Sequence, residues 1–260
     1  MVKKKNNGKW KIFIVLLVSF IIGYGTFFYF FQKSKKDLTP TVKKLIEEKK
    51  NIQYSDSNDN KKDVSNYVNY LPEYRKSYGN DDIKARLEIP NLGIDSLIVR
   101  SVNNEFYLKN NIHRKYDNLG VPFFDYRNID LVHSKQLNIY GHNTRNTAYL
   151  DSLPFTRLEA YVDFEIFNHY KDVYLSLDEI QFHYEVVAVK IITNEDNEHM
   201  KVLFYNDDDF LTHISKMLDH SLYIEKDFHM KATDHFLILQ VCHYNPDNSY
   251  LLVICQEKSK

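Results

Sequence analysis

From Ala85 onward the chain alternates apolar and polar residues over short stretches. Ala85-Arg86-Leu87-Glu88-Ile89 alternates strictly, and Pro90-Asn91-Leu92-Gly93 then marks a turn. The same reading predicts strands over Ser96–Val102, Val121–Asp125, Leu137–Tyr140, Phe164–Phe167, Asp172–Leu177, Gln181–Ile192, Phe236–Cys242 and Leu251–Cys255. Short strands with brief connections predict a mainly β fold with peripheral helices, a closed or nearly closed barrel of about eight strands. One segment carries the helical period instead. Asp207–Leu218 places Phe210, Leu211, Ile214, Met217 and Leu218 on one face, with acidic residues in its first turn. A further helical piece is expected over Tyr67–Tyr78, broken by Pro72.

The N-terminal pattern is different. Ile12 to Phe31 is an uninterrupted uncharged run of 20 residues. As a helix it is long enough to cross a hydrocarbon core of about 30 Å. Lys3, Lys4, Lys5, Lys9 and Lys11 precede it, and Lys33, Lys35 and Lys36 follow beside Asp37. The heavier positive flank predicts a cytoplasmic N-terminus, with everything after the span outside the cell. A cleaved signal peptide would have a shorter apolar region followed by small residues. This run ends instead in Phe27-Phe28-Tyr29-Phe30-Phe31. Thr39-Pro40 reads as the start of a short charged helix, and Asn51–Asp63 as a polar linker. The expected organisation is a cytoplasmic tail over 1–11, a single-pass membrane anchor over 12–31, an extracellular stalk with a helical segment over 32–80, and a barrel domain over 81–260.

Composition narrows the classes. Lys and Arg number 34 against 35 Asp and Glu, a balance that excludes the basic excess of a general nucleic-acid binder. Tyr 20 and Phe 17 against Gly 7 and Pro 6 favour β structure. The two cysteines, Cys242 and Cys255, exclude a disulfide-rich scaffold, and no Cys/His cluster has zinc spacing. Neither a metal nor a cofactor is expected.

Cys242 ends the apolar stretch His235–Val241 and opens into the polar loop His243-Tyr244-Asn245-Pro246-Asp247-Asn248. A strand end beside a loop holds a side chain rigidly and leaves it accessible. The same position also suits an inert buried cysteine. Pairing the last two strands across the Tyr244–Ser249 loop puts Cys255 opposite roughly Leu237, about 15 Å along the strand from Cys242. A disulfide cannot span that separation, so Cys242 is expected as a free thiol. A nucleophilic thiol needs a base. His142, in Asn138-Ile139-Tyr140-Gly141-His142-Asn143, sits where a short strand meets a turn. A hydrogen-bonded structural histidine fits that position as well. His243 is the weaker partner, because neighbouring strand residues face opposite ways.

Together these residues resemble sortases, and class B sortases in particular. Tyr140-Gly141-His142-Asn143 is similar to the family's histidine motif. Asn103–Leu108 followed by Gly120–Asn128 resembles the class B stretch before it, and Asp207–Leu218 the class B helical insertion. The resemblance spans about Lys84 to Glu257. It implies a cysteine transpeptidase with Cys242 as nucleophile and His142 as acid/base partner. It further implies two partners: a secreted protein with a C-terminal sorting signal, of the NPxTN kind in class B, and a cell-wall peptide amine. Two departures stand out. The family's Thr-Leu-x-Thr-Cys reads Ile238-Leu239-Gln240-Val241-Cys242 here. The arginine that the family places at the start of the last strand, for the oxyanion and substrate, is replaced by Tyr250, and no arginine follows Arg157. Two readings stay open: an active sortase with altered oxyanion stabilisation, through one neutral hydrogen bond from Tyr250 or through Arg127 or Arg145 swinging in, or a degenerate one that binds signals and turns over poorly.

Overall fold

β1 (Ile83–Ile89) buries every second residue, so Ile83, Ala85, Leu87 and Ile89 lose all contact with solvent. The computed structural model describes residues 70–145, 149–193 and 200–258. β1 turns through Pro90–Leu92 into β2 (Ile94–Val99) and pairs with it antiparallel. Gly93 closes the turn at φ 62°, a left-handed conformation that glycine adopts without steric cost.

β2 runs parallel to the short β3 (Phe123–Phe124), which pairs antiparallel with β4 (Gln136–Gly141). β4 lies parallel to β8 (Phe236–His243), and β8 antiparallel to β9 (Ser249–Glu257). β9 pairs with β6 (Gln181–Thr193), β6 with β5 (Asp172–Ser176), and β5 returns to β1. The ring β5-β1-β2-β3-β4-β8-β9-β6 is a closed eight-stranded barrel, and β7 (Tyr223–Ile224) adds to β6 as a ninth strand.

The alternation along each strand divides its side chains between two clusters. Leu237, Leu239 and Val241 of β8, with Leu251, Val253 and Cys255 of β9, point into the barrel. Phe236 and Ile238, with Leu252 and Ile254, point outward beneath an amphipathic helix. Each such side chain contributes about 1.5–3 kcal/mol on full burial.

Among the described residues three α-helices flank the barrel. α1 spans Leu71–Tyr78, α2 spans Phe164–His169, and α3 spans Asp207–Leu218. α3 has the bounds its periodicity predicts, and Phe210, Ile214, Met217 and Leu218 bury against the outward face of β8 and β9. α1 corrects one expectation. Pro72 lies in its first turn, where its missing N–H costs nothing, so it begins the helix rather than breaking it. α2 corrects another, since Phe164–Phe167 is helical and not a strand. The Asp163 side chain accepts from Glu165 N (2.9 Å) and caps it. Pro154–Val162, unassigned from the sequence, is a 3-10 segment that places Phe155, Leu158 and Tyr161 in the barrel core.

The expected tail, anchor, Thr39-Pro40 helix and linker lie outside the described residues. Among the described residues no helix is long and apolar enough to cross a membrane.

Candidate active site

The parallel register of β4 and β8 pairs Gly141 with Val241. The next residue on each chain is therefore His142 on one side and Cys242 on the other. Across β8 and β9, Cys242 pairs with Tyr250. By alternation Cys242 lies on the face of Ile238 and Gln240, the outward face, where Tyr250 packs at the edge of the α3 cluster. All three of His142, Cys242 and Tyr250 are half-buried. Cys255 pairs with Leu237, is fully buried in the barrel, and like Cys242 forms no disulfide.

Two glycines flank His142, one beside it in sequence and one against its ring. A Cβ on Gly141 would lie 2.4 Å from Phe155 Cδ2, so only glycine lets β4 run past that ring. Gly120 has φ 56°, and a Cβ there would meet Tyr107 O at 2.4 Å and His142 Cδ2 at 3.1 Å. The ring itself is fixed by Nε2, 2.7 Å from Leu108 O. That geometry puts the proton on Nε2 and leaves Nδ1 as the basic nitrogen when the ring is neutral. No hydrogen bond joins His142 to Cys242 among the described residues.

Burial pushes the Cys242 thiol above the ordinary cysteine range, and the Glu159 carboxylate adds to the shift. The resting sulfur is therefore a neutral thiol at neutral pH, and becomes a nucleophile when a base removes its proton.

The two arginines that could replace a charge at position 250 are engaged elsewhere. Arg127 holds Asp125 through Nε (2.8 Å) and Nη2 (2.7 Å). Burial opposes ionisation of Asp125, but bonds from Arg127, Tyr140 and Asn104 outweigh it and hold the carboxyl below the usual range. Arg145 Nη2 donates to Tyr244 O and Asp247 Oδ1, both at 2.9 Å, and its guanidinium lies over the Tyr244 ring at 4.5 Å. It therefore sits on the loop that follows Cys242 but is committed to that loop.

From the sequence His243 is set aside, Asn143 has no role beyond its place in the histidine motif, and Glu159 gives no sign. His243 points to the opposite side of β8 from Cys242 and is buried against Glu159, with Nδ1 3.0 Å from both carboxylate oxygens. Asn143 Nδ2 donates to Glu159 Oε1 (2.7 Å) and to Cys242 O (2.6 Å). The available signal was the dipeptide Cys242-His243 itself, which puts a polar residue on an otherwise apolar inward face.

A separate cluster, Asp172, His183 and Glu185, lies on the β5–β6 hairpin. Its polar groups meet one another and Lys258: His183 Nε2 is 2.7 Å from Asp172 Oδ1, and Lys258 Nζ is 2.5 Å from Glu185 Oε1.

No family model matches the chain. Sortase B of Listeria monocytogenes serovar 1/2a (strain ATCC BAA-679 / EGD-e) is 26% identical over 179 residues, covering 69% of this chain and 70% of that protein. The structure of Clostridium perfringens sortase B matches with a TM-score of 0.66 at 25% identity, over 72% of this chain and all of that one. Spy0129 of Streptococcus pyogenes, a class B sortase involved in pilus biogenesis, matches in fold with a TM-score of 0.59 at 22% identity, over 69% of this chain and 94% of that one. In sequence and in fold, the chain resembles the class B sortases, a family of transpeptidases.

Proposed function

We propose that the chain is a membrane-anchored cysteine transpeptidase that joins secreted proteins to the cell wall. Cys242 attacks a backbone carbonyl in a C-terminal sorting signal, and His142 takes the thiol proton. The C–N bond breaks as His142 returns that proton to the leaving amine, and a thioacyl-enzyme remains. An incoming cell-wall peptide amine then gives its proton to His142 and attacks the thioester. A new amide forms and the thiol is restored. Splitting one amide exchange into two steps lowers each barrier, and a positioned imidazole contributes about 10²–10⁴-fold. Residues 12–31 would hold the enzyme in the membrane, with the N-terminus in the cytoplasm and the barrel outside.

The observation that carries this reading is the β4–β8 register, which brings His142 and Cys242 to the same end of adjacent strands. In the full chain incubated with NPxTN-type peptides, mass spectrometry should trap an acyl adduct on Cys242. Cys242→Ala should abolish adduct and cleavage, and Cys255→Ala should leave both. Full activity in Cys242→Ala would end the proposal.

A second reading, signal binding with little turnover, is favoured by one observation. Tyr250 stands beside Cys242 while Arg127 and Arg145 are tied to Asp125 and Asp247. A tyrosine donates one neutral hydrogen bond where a guanidinium would bring charge and two donors. Removing one oxyanion donor costs about 10²–10³-fold, so Tyr250→Arg should raise turnover, by up to about a hundredfold. Peptide binding with no Cys242 adduct in the wild-type chain would decide for this second reading.

A further inference from the structure

Behind Cys242 lies a polar group that the transpeptidation chemistry does not use. The Glu159 and His243 side chains are 9% and 7% exposed, and they pair at 3.0 Å at the end of the barrel. Burying an ionisable pair rarely adds net stability over an apolar filling, so its presence points to what it orients. The geometry identifies the target. Asn143 is the residue after His142, and its Nδ2 spans Glu159 Oε1 and the Cys242 carbonyl. Its own carbonyl accepts from Tyr244 OH at 2.9 Å. Ser249 Oγ, at the start of β9, donates to the His243 carbonyl at 3.2 Å. Every chain segment leaving the site is therefore tied to this knot: the end of β4, the end of β8, and the start of β9.

We propose that Glu159 and His243 are positioning residues for Cys242: a buried carboxylate–imidazole pair that, through Asn143, locks the ends of β4 and β8 together and sets the charge behind the thiol. The proposal rests on the reading of Cys242 and His142 as the working pair, and it adds the group that holds them in register. Without it both strands end in free loops, and the two side chains lose their common face. The charged and titratable neighbours are few. Tyr250 lies opposite Cys242 on β9, and His142 follows the β4 residue that pairs with Val241; His243 at the end of β8 and Glu159 on the 3-10 segment lie on the other side of the strand, and Tyr244 follows β8. Arg145 lies beyond Tyr244. Of these, Glu159 is the carboxyl group whose charge works against ionisation of the thiol.

The test uses the full chain in detergent and two variants, Glu159→Ala and Glu159→Gln. Gln keeps an acceptor for Asn143 and offers His243 an N–H in place of the second carboxylate oxygen, which the other imidazole tautomer accepts, but removes the charge; Ala removes both. Iodoacetamide labelling of Cys242, followed by mass spectrometry across pH, needs no substrate. In both variants the labelling midpoint should move to lower pH, because the opposing carboxylate is gone. Turnover of an NPxTN-type peptide should fall about tenfold or more in kcat for Glu159→Ala with KM held, the scale expected for a displaced nucleophile. Glu159→Gln should recover most of that loss. An unmoved labelling midpoint in a folded variant, or equal kcat in Glu159→Ala and wild type, overturns the proposal. If Glu159→Ala does not fold, labelling of Glu159→Gln decides alone. A wild-type chain without turnover would overturn the transpeptidase reading, while the labelling shift would still decide this one.

Discussion

Gly120 and Gly141 bracket His142 for different reasons. Gly141 is required by packing, since Phe155 is fully buried and its ring cannot retreat from an added Cβ. Gly141→Ala should therefore cost about 1–3 kcal/mol, the range for overpacking a filled core. Gly120 is required by conformation and by a backbone carbonyl that cannot move aside. An L-residue in the left-handed region costs about 1–2 kcal/mol before any clash. Urea unfolding of the two variants checks both figures, and wild-type stability in Gly141→Ala would refute the packing account. Gly120→Ala should also shift the ring of His142, so its acyl-adduct rate should fall further than its stability does. At this scale the sequence shows a residue when its neighbours give it a context. Cys242 stands out because an apolar strand ends at it, and Cys255 separates from it by register. Glu159 does not stand out. It comes 84 residues before His243, among the polar positions of a short 3-10 segment, and only the closed barrel brings the two together.

α3 shows what an element needs to be legible. Its apolar face repeats at helical spacing, and Asn206 caps it by accepting from Asp209 N at 2.8 Å. Asp207, Asp208 and Asp209 in the first turn add favourable charge at the positive end of the helix dipole. Asn206→Ala should cost about 1 kcal/mol through the lost cap, seen as a lower urea midpoint with an unchanged slope. The consequence reaches the site, because α3 covers the same sheet face on which Tyr250 and Cys242 lie. A changed slope would mean that α3 unfolds separately and that this coupling is absent. α2 was not legible for a related reason. Phe164-Glu165-Ile166-Phe167 is too short for periodicity to separate helix from strand, and the Asp163 cap decides it. The 3-10 segment Pro154–Val162 repeats its large apolar residues every third position, at Phe155, Leu158 and Tyr161, over too short a stretch to mark a helix from the sequence, yet it supplies both Phe155 beneath Gly141 and Glu159 behind Cys242.

For the whole molecule, the closed barrel means that burial is shared by ionisable groups far apart in sequence. Desolvation pushes the phenols of Tyr107, Tyr140, Tyr161 and Tyr184 above their ordinary range. Burial does the same to the Cys255 thiol. The sign follows from where protons leave first. Above pH about 10 an unfolded chain ionises its tyrosines, whereas the folded chain keeps these protonated. The folded state then binds more protons, so stability is intact below that pH and is lost as pH rises toward the folded values. Each such tyrosine adds a slope of about 1.4 kcal/mol per pH unit over that window. Tyr161 isolates the effect, because its hydroxyl makes one hydrogen bond, to Tyr170 O at 2.8 Å, and sits deep in the barrel. Tyr161→Phe should lower stability at pH 8 by about 1 kcal/mol, the net worth of that bond. It should also make the fall between pH 10 and 11 shallower by one group's slope. Stability curves for the two proteins should therefore converge as pH rises. Parallel curves would mean that Tyr161 ionises in the folded state, and that water reaches the barrel interior beside Cys255 and Asp172.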